Sequence, residues 1–345
     1  MIKSIADRHG TRAATAWTTA VLRHQRGIDL AALRSAIASK NIKSIEAVVA
    51  ASKLQQSVGR VLRTPFTASA QVAGKQSAAI LKAHGIAASF NVVHPNVVNF
   101  ARAQAAQMVV GVPAETRRVI AEVIAQGAQH GLDVAQQARA IREVVGLPPS
   151  WASAPGGLAR EIRAGEAAAA TGRRLSASAK QQIRSRIANG TVTDVFVAEM
   201  TEQYAESLIN RRALNIARTE TLRASHNGLT ESWKQAQEQG VLPEAAKRFW
   251  IVTPDERLSE EHATIPGMNS NGRGMDEPFE TTEGLHMYPP SRPNCRCSVG
   301  LLPNVPEDFD VTEGEEAEEE AVEIDEEALL EPPARFDPLA GPRVG

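Results

Sequence analysis

Cys295 and Cys297 are the only two cysteines in 345 residues, and they stand one residue apart. Thiols this close in sequence rarely close a structural disulfide, so they are either free or metal ligands. Glu220 is the other residue whose setting invites chemistry. At 100° per residue, Ile209, Ala213, Ile216, Ala217, Ala224 and Asn227 share one side of a helix. Glu220 falls in the middle of that small-residue face, with Arg212 and Arg223 on its flank. A carboxylate buried there without a partner is costly; Arg223, at i+3, can reach it, as can a group from the chain downstream. Glu220 is either a catalytic acid or base, or a lock between the helix and whatever packs on it. No second carboxylate or nucleophile accompanies it at a readable spacing, so the lock is expected and no catalytic residue is assigned. His84, His94 and His130 adjoin Gly or Pro and are expected at helix ends or on the surface. Gly272-Arg273-Gly274 is too short for a phosphate loop, and Gly156-Gly157 follows no strand and reads as a linker.

The elements that must position these residues are mainly helical. Residues 1–62 read as helix with breaks near Gly27 and Lys40-Asn41, the run Ile42, Ile45, Val48, Val49 and Leu54 being one amphipathic piece with Ser44 as its N-cap. Thr64-Pro65 is expected to end this piece, and 66–88 to be weakly helical up to Gly85. FNVVHPNVVNFA, residues 90–101, leads into a helix from about Asn96. Pro113 fits the first turn of the next helix, which Gly131 closes, and Asp133 caps another. GLPPSWASAPGG, residues 146–157, reads as a loop. After a helix pair around Gly190, with Thr193 or Asp194 capping the second, a long helix runs from about Val195 to Glu238, where Gly240 and Pro243 stop it. Then the texture changes. RFWIVT (248–253) and CSVGLL (297–302) are strand candidates bounding a small, loop-rich module. The fold class expected is therefore mainly α: long helices, a small α+β C-terminal module and a disordered acidic tail. Its divisions are a basic helical region 1–89, a helical domain 90–245, the module 246–305 and the tail 306–345.

Charge follows the same divisions. The net charge of −2 hides 15 acids against 2 bases from Pro306 to Gly345, a net of −13, which leaves +11 on the rest. Residues 1–64 alone hold 11 bases and 3 acids, a net of +8. Such a body suits contact with DNA or another polyanion, or else its Lys and Arg simply solvate helix faces; no aromatic residues interleave them as a single-strand binder would need. The tail is too acidic and too poor in large apolar residues to bury a core. No apolar stretch of 18 residues exists, so no transmembrane helix is expected, and the start MIKSIADRHG lacks a signal-peptide core. Aromatic residues make up only 4%, which favours packed helices and an extended shape over one thick globule.

Two segments resemble the Mu F-like head-morphogenesis family of tailed phages. One is NIARTETLRASHNG, residues 215–228, with its A-R-T-E core and downstream Asn. The other begins at FWIVTPDERLSEEH, residues 249–262, and continues through Pro266-Gly267 and Glu277-Pro278-Phe279 to PPSRPNCRC, residues 289–297. No single piece is specific; their joint order over about a hundred residues carries the likeness, which is strong across 205–302, weaker over 90–204 and silent on 1–89. It implies a structural motif built from Arg218, Glu220, Arg223, Asn227, Trp250, Asp255 and Arg257. It also implies a minor capsid protein acting in procapsid assembly, and not an enzyme. The partners implied are the portal, the major capsid or scaffold protein and DNA bound without sequence preference, with no membrane. The locations implied are the host cytoplasm during assembly and then the virion head. Some members of the family carry a C-x-x-C after the Asp-x-Arg and a His before the C-R-C, together like four zinc ligands. This sequence departs from that set: Ser259, His262 and Arg292 occupy those positions. His262, Cys295 and Cys297 remain as candidate zinc ligands, with Asp255, Glu261 or His286 as a fourth; the alternative is two reduced cysteines in a small core with His262 hydrogen-bonded nearby. Two rival readings stand beside the structural one: a metal-dependent enzyme or toxin-type module built on the C-terminal domain, and a free DNA-binding protein of host type.

Overall fold

The computed structural model describes residues 2–171, 173–293 and 295–304. The acidic tail, and with it the expected disorder, lies outside the described residues. Helices α1 (Ile2–Arg26), α2 (Leu30–Ala38), α3 (Ile42–Val49) and α4 (Ala51–Ala83) come first. Then follow α5 (Pro95–Val110), α6 (Val112–Gln129), α7 (Val134–Val144), α8 (Ala154–Arg163) and α9 (Ala177–Ala188). The 45-residue α10 (Asp194–Glu238) completes the helical part. At 1.5 Å per residue it is about 68 Å long. The module that follows holds β1 (Lys247–Ile251), the single-turn α11 (Glu260–Ala263) and α12 (Ile265–Met268), then β2 (Phe279–Thr281), β3 (Gly284–His286) and β4 (Ser298–Leu302). β1 pairs antiparallel with β4, Trp250 opposite Val299, and β2 with β3 as a hairpin.

Mainly helical architecture, a long helix and a small strand-bearing module match the expectation, and Thr193 caps α10 by accepting from the Phe196 amide. Local details differ. α4 runs straight through Pro65. A proline there forfeits one backbone bond and costs about 3 kcal/mol. Burial of Leu62, Pro65 and Phe66, together with the rest of the helix's inner face, offsets it. The run from Ile42 to Leu54 is not one helix: Ala50 sits in the left-handed region at φ 48°, dividing α3 from α4. Ser44 is not the cap of α3; Asn41 is, its side chain accepting from the Ser44 amide at 3.1 Å. The loop expected over 146–157 contains a 3-10 turn, Pro149–Trp151, and the first turn of α8, so Gly156 and Gly157 are helical and not a linker. Pro155 supplies the preset φ for that first turn.

Two apolar clusters share α10. The larger joins α1–α9 with the first two thirds of α10, from Ala13 to Ala224. The smaller joins Leu229, Trp233 and Ala236 of α10 and Leu81 of α4 to Trp250, Ile265, Phe279, Cys295, Cys297 and Val299 of the module. Where α10 crosses α4 the contact is made by small residues. Ser69 hydrogen-bonds Ser225 at 2.7 Å and the Thr221 carbonyl at 3.1 Å. A Cβ added to Gly228 would lie 1.8 Å from the Ala70 carbonyl oxygen. That obstacle is backbone and cannot rotate away. Gly228→Ala is therefore expected to destabilise the protein by about 3 kcal/mol or more, above the usual range for an added methyl group. Denaturant unfolding checks this, and a change under 1 kcal/mol would show that the helices part at no cost.

Candidate functional site: the helix–module junction and its thiol cluster

Glu220 is mostly buried, its side chain 12% exposed, and its carboxylate takes both Nη1 bonds of Arg223 at 2.7 and 2.9 Å. Gln104 of α5 donates to the same carboxylate. Burial pushes the Glu220 carboxyl up, against the downward pull of Arg223 and Gln104. Arg223 then reaches across with Nη2 to the Pro290 carbonyl at 3.2 Å. One guanidinium thus links a helical carboxylate to the module's backbone. Three residues along, fully buried His226 repeats the connection: Nδ1 meets the Pro289 carbonyl at 2.9 Å and Nε2 the Ser298 hydroxyl at 3.3 Å. Burial lowers its pKa to about 4, the Pro289 carbonyl opposing. Asn227, also buried, donates to the Tyr288 hydroxyl. Arg212 does not join the junction; it pairs with Glu115 at 2.5 Å and donates to the Gly146 carbonyl.

Sequence reasoning passed over His226, Tyr288, Gln104 and, above all, Arg248. Buried at 0% exposure in the middle of the module, Arg248 donates to the carbonyls of Gly274 (3.0 and 2.8 Å) and Met287 (2.6 Å), and lies 5.1 Å over the Phe279 ring. Burial brings its pKa down to about 10. It holds the 274–287 stretch, which contains the β2–β3 hairpin, through main-chain oxygens, a role that leaves no periodic trace. His226 did leave a signal, since it lies one helical turn beyond Arg223. Of the other motif residues, Trp250 is buried, edge-on to Phe279 at 5.5 Å. Asp255 pairs with Arg296 and also accepts from the Arg257 amide at 2.9 Å. The side chains of Arg218 and Arg257 are exposed.

His262, Cys295 and Cys297 come together as a buried trio whose donor atoms all lie within 4.8 Å of one another. Ser259 caps α11 and so turns His262 inward, with Nδ1 3.4 Å from Cys297 Sγ. His262 Nε2 faces Ser291 Oγ at 3.3 Å and Glu283 at 3.5 Å. The Cys297 thiol donates to Cys295, which lowers the Cys295 pKa to about 6 despite burial; the same donation, with burial, pushes Cys297 up. Two sulfurs and an imidazole this close together fit one face of a zinc tetrahedron. The carboxylate on the far nitrogen is the partner a ligating histidine needs. The described residues bring no fourth ligand: Asp255 is held by Arg296, Glu261 by Arg292, and His286 is outside the trio. Ser259 and Arg292, at two of the family's ligand positions, bond each other at 2.5 Å. The fourth direction opens on a pocket of about 200 Å³ lined by Thr253, Arg257 and Arg296 as well as the trio.

Residues 177–300 match the family described as Phage Mu protein F like protein. The resemblance therefore holds from the start of α9 to the middle of β4, a stretch that contains the whole junction and the thiol cluster. No curated protein and no solved structure matches the chain.

The His226 ring makes a pH-dependent contribution of definite sign. Its folded pKa, about 4, lies below the ordinary 6.5, so the unfolded chain binds the extra proton first as pH falls. Stability from this group is whole above pH 6.5 and is lost on descent through that value towards 4, by roughly 3 kcal/mol in all. In His226→Asn this component is expected to vanish, so the difference between the two stability profiles should be flat above pH 7 and change steadily below it. Parallel profiles across the range would place the ring in contact with water.

Proposed function

We propose that the chain is a minor structural protein of a tailed-phage head, acting in procapsid assembly as a partner of the portal and of the major capsid or scaffold protein. It works in the host cytoplasm during assembly and then inside the virion head, where it contacts the packaged DNA. The observation that carries this reading is the family match over 177–300, together with a junction made of locks and no reacting pair. Glu220 is satisfied by Arg223 and Gln104, so the one buried carboxylate that invited a catalytic role is better read as a fastening. No described helix is long and apolar enough to cross a membrane.

The basic helices supply the DNA contact in this reading. The side chains of Arg8, Arg12, Arg23, Arg26, Arg34, Lys40, Lys43, Lys53, Arg60 and Arg63 are exposed, and none forms an ion pair among the described residues. Phosphate binding by such groups releases counterions, so contact with about six phosphates should weaken binding roughly a thousandfold between 50 and 200 mM salt. Arg34→Gln, Lys43→Gln and Lys53→Gln should each reduce the slope by about one or leave it unchanged, according to whether that side chain touches a phosphate, with no change in base preference. Salt titration on duplexes of unrelated sequence, run beside a portal pull-down, checks both halves. Salt-insensitive binding would refute the electrostatic contact, strongly sequence-selective binding would favour the free DNA-binding reading, and failure to bind portal or enter procapsids would count against head assembly.

In this reading the thiol cluster is a fastening too. His262, Cys295 and Cys297 would hold zinc, which would supply a cross-link between the 255–262 and 291–297 segments. With only three protein ligands the ion should bind at about one per chain and yield to EDTA, lowering the thermal midpoint by about 2–4 °C without unfolding the module. Cys297→Ser should abolish the stoichiometric uptake. Metal analysis after gel filtration, with and without chelator, checks this; protein free of zinc after purification and reconstitution would leave the cluster as a hydrogen-bonded trio.

A further inference from the structure

Arg218 and Arg257 belong to the family-like segments yet take no part in the junction. Both are exposed, and neither forms an ion pair among the described residues. They meet along one groove of about 1000 Å³, walled by α1, the end of α4, α10 and β4. Its floor is apolar, with Leu81, Leu222, Leu229, Trp233, Val299 and Leu301. β4 pairs with β1 alone among the described residues, so its second edge is open beside this floor. Ser77, also lining the groove, keeps a buried hydroxyl without a hydrogen-bond partner. An apolar trough with an open strand edge, an unsatisfied hydroxyl and two unpaired guanidinium groups has the features of a site for an acidic segment with apolar anchors.

The chain itself supplies such a segment at the mouth of the groove. Pro303 and Asn304, the last described residues, line it. Next come Val305, Pro306, Glu307, Asp308, Phe309, Asp310 and Val311, in which acidic and apolar residues alternate from Asp308 to Val311. Five residues from Asn304 to Phe309 span up to about 17 Å. A tether this short gives the segment an effective concentration on the order of millimolar, so even weak contacts are occupied. Of the rim carboxylates, Asp255 is already neutralised by Arg296, which leaves Asp7 against Arg218 and Arg257.

We infer that residues 305–311 of the same chain seat in this groove, with Phe309 and Val311 on its apolar floor and the neighbouring carboxylates against Arg218 and Arg257.

Photocrosslinking of the full chain tests the placement. With Phe309 replaced by benzoylphenylalanine, irradiation should give an adduct within the monomer to the α10 peptide carrying Leu222 to Trp233 or to the α4 peptide carrying Leu81. Its yield should fall at least about fivefold in Arg218→Glu/Arg257→Glu and likewise in the unsubstituted protein at about 0.5 M salt, where exposed charges are screened. The salt arm needs no substitution and stands if the double variant misfolds. Adducts confined to a second copy, adducts on another surface, no adduct at all, or a yield indifferent to both charge reversal and salt would each overturn the inference.

Discussion

The rest of the C-terminal structure depends on one guanidinium serving two masters. Arg223 neutralises Glu220 on its own helix and donates to Pro290 in the module. The carboxylate contact is not dispensable: a buried carboxylate without a cation costs several kcal/mol, and the partly buried Arg223 meets that need while its other nitrogen holds the module. Because one planar group meets both demands, the module sits on α10 at one rotation and one register. His226 makes the same choice a turn later through Pro289 and Ser298. The two contacts land on adjacent carbonyls, so a slip of the helix by one residue would break both.

Apolar burial explains why the module needs that helix. Its four strands total 16 residues in two separate two-stranded sheets, too little to enclose a core alone. Leu229, Trp233 and Ala236 complete it from α10, and Leu81 from α4. Inside, Arg248 supplements the two short ladders by gathering backbone carbonyls from the stretch between α12 and β4. The upstream end of the same α10 is embedded in the larger helical core. One continuous helix therefore carries both cores, and the close α4–α10 approach at Gly228 ties them together. Displacing the module would therefore disturb the packed helices as well.

Elements with strong local signals were legible in the sequence. Thr193, Asp133 and Pro113 mark helix starts by chemistry that depends on neighbours a few residues away, and Glu220 with Arg223 is an i, i+3 pair visible on any helical wheel. What escaped was set by distant contacts. Pro65 stays helical because its neighbours are buried against α1 and α10, and nothing near it in sequence says so. Ala50 turns left-handed without Gly or Asn to announce it. Arg248 looked like one more residue of a strand because its partners, 26 and 39 residues away, are carbonyl oxygens that every sequence has. The meeting of His262 with Cys295 and Cys297 was readable only through family likeness, since an interval of some thirty irregular residues fixes no distance.

Ser259 and Arg292 join to each other, and Arg292 also pairs with Glu261 at 3.1 Å and Glu283 at 3.4 Å. The same Glu283 faces His262. The 255–262 and 291–297 segments are thus already stitched by Arg292 and by Arg296–Asp255 before any ion is considered. These pairs are at least partly exposed, so water screens each of them and none is strong alone. Together, with Glu283 shared by Arg292 and His262, they still restrict both loops, so the His–Cys trio is held together in advance. A metal arriving there meets ligands that need no further ordering. Its binding energy would then go into tightening a module already folded, which separates this chain from small zinc domains that cannot fold without their ion.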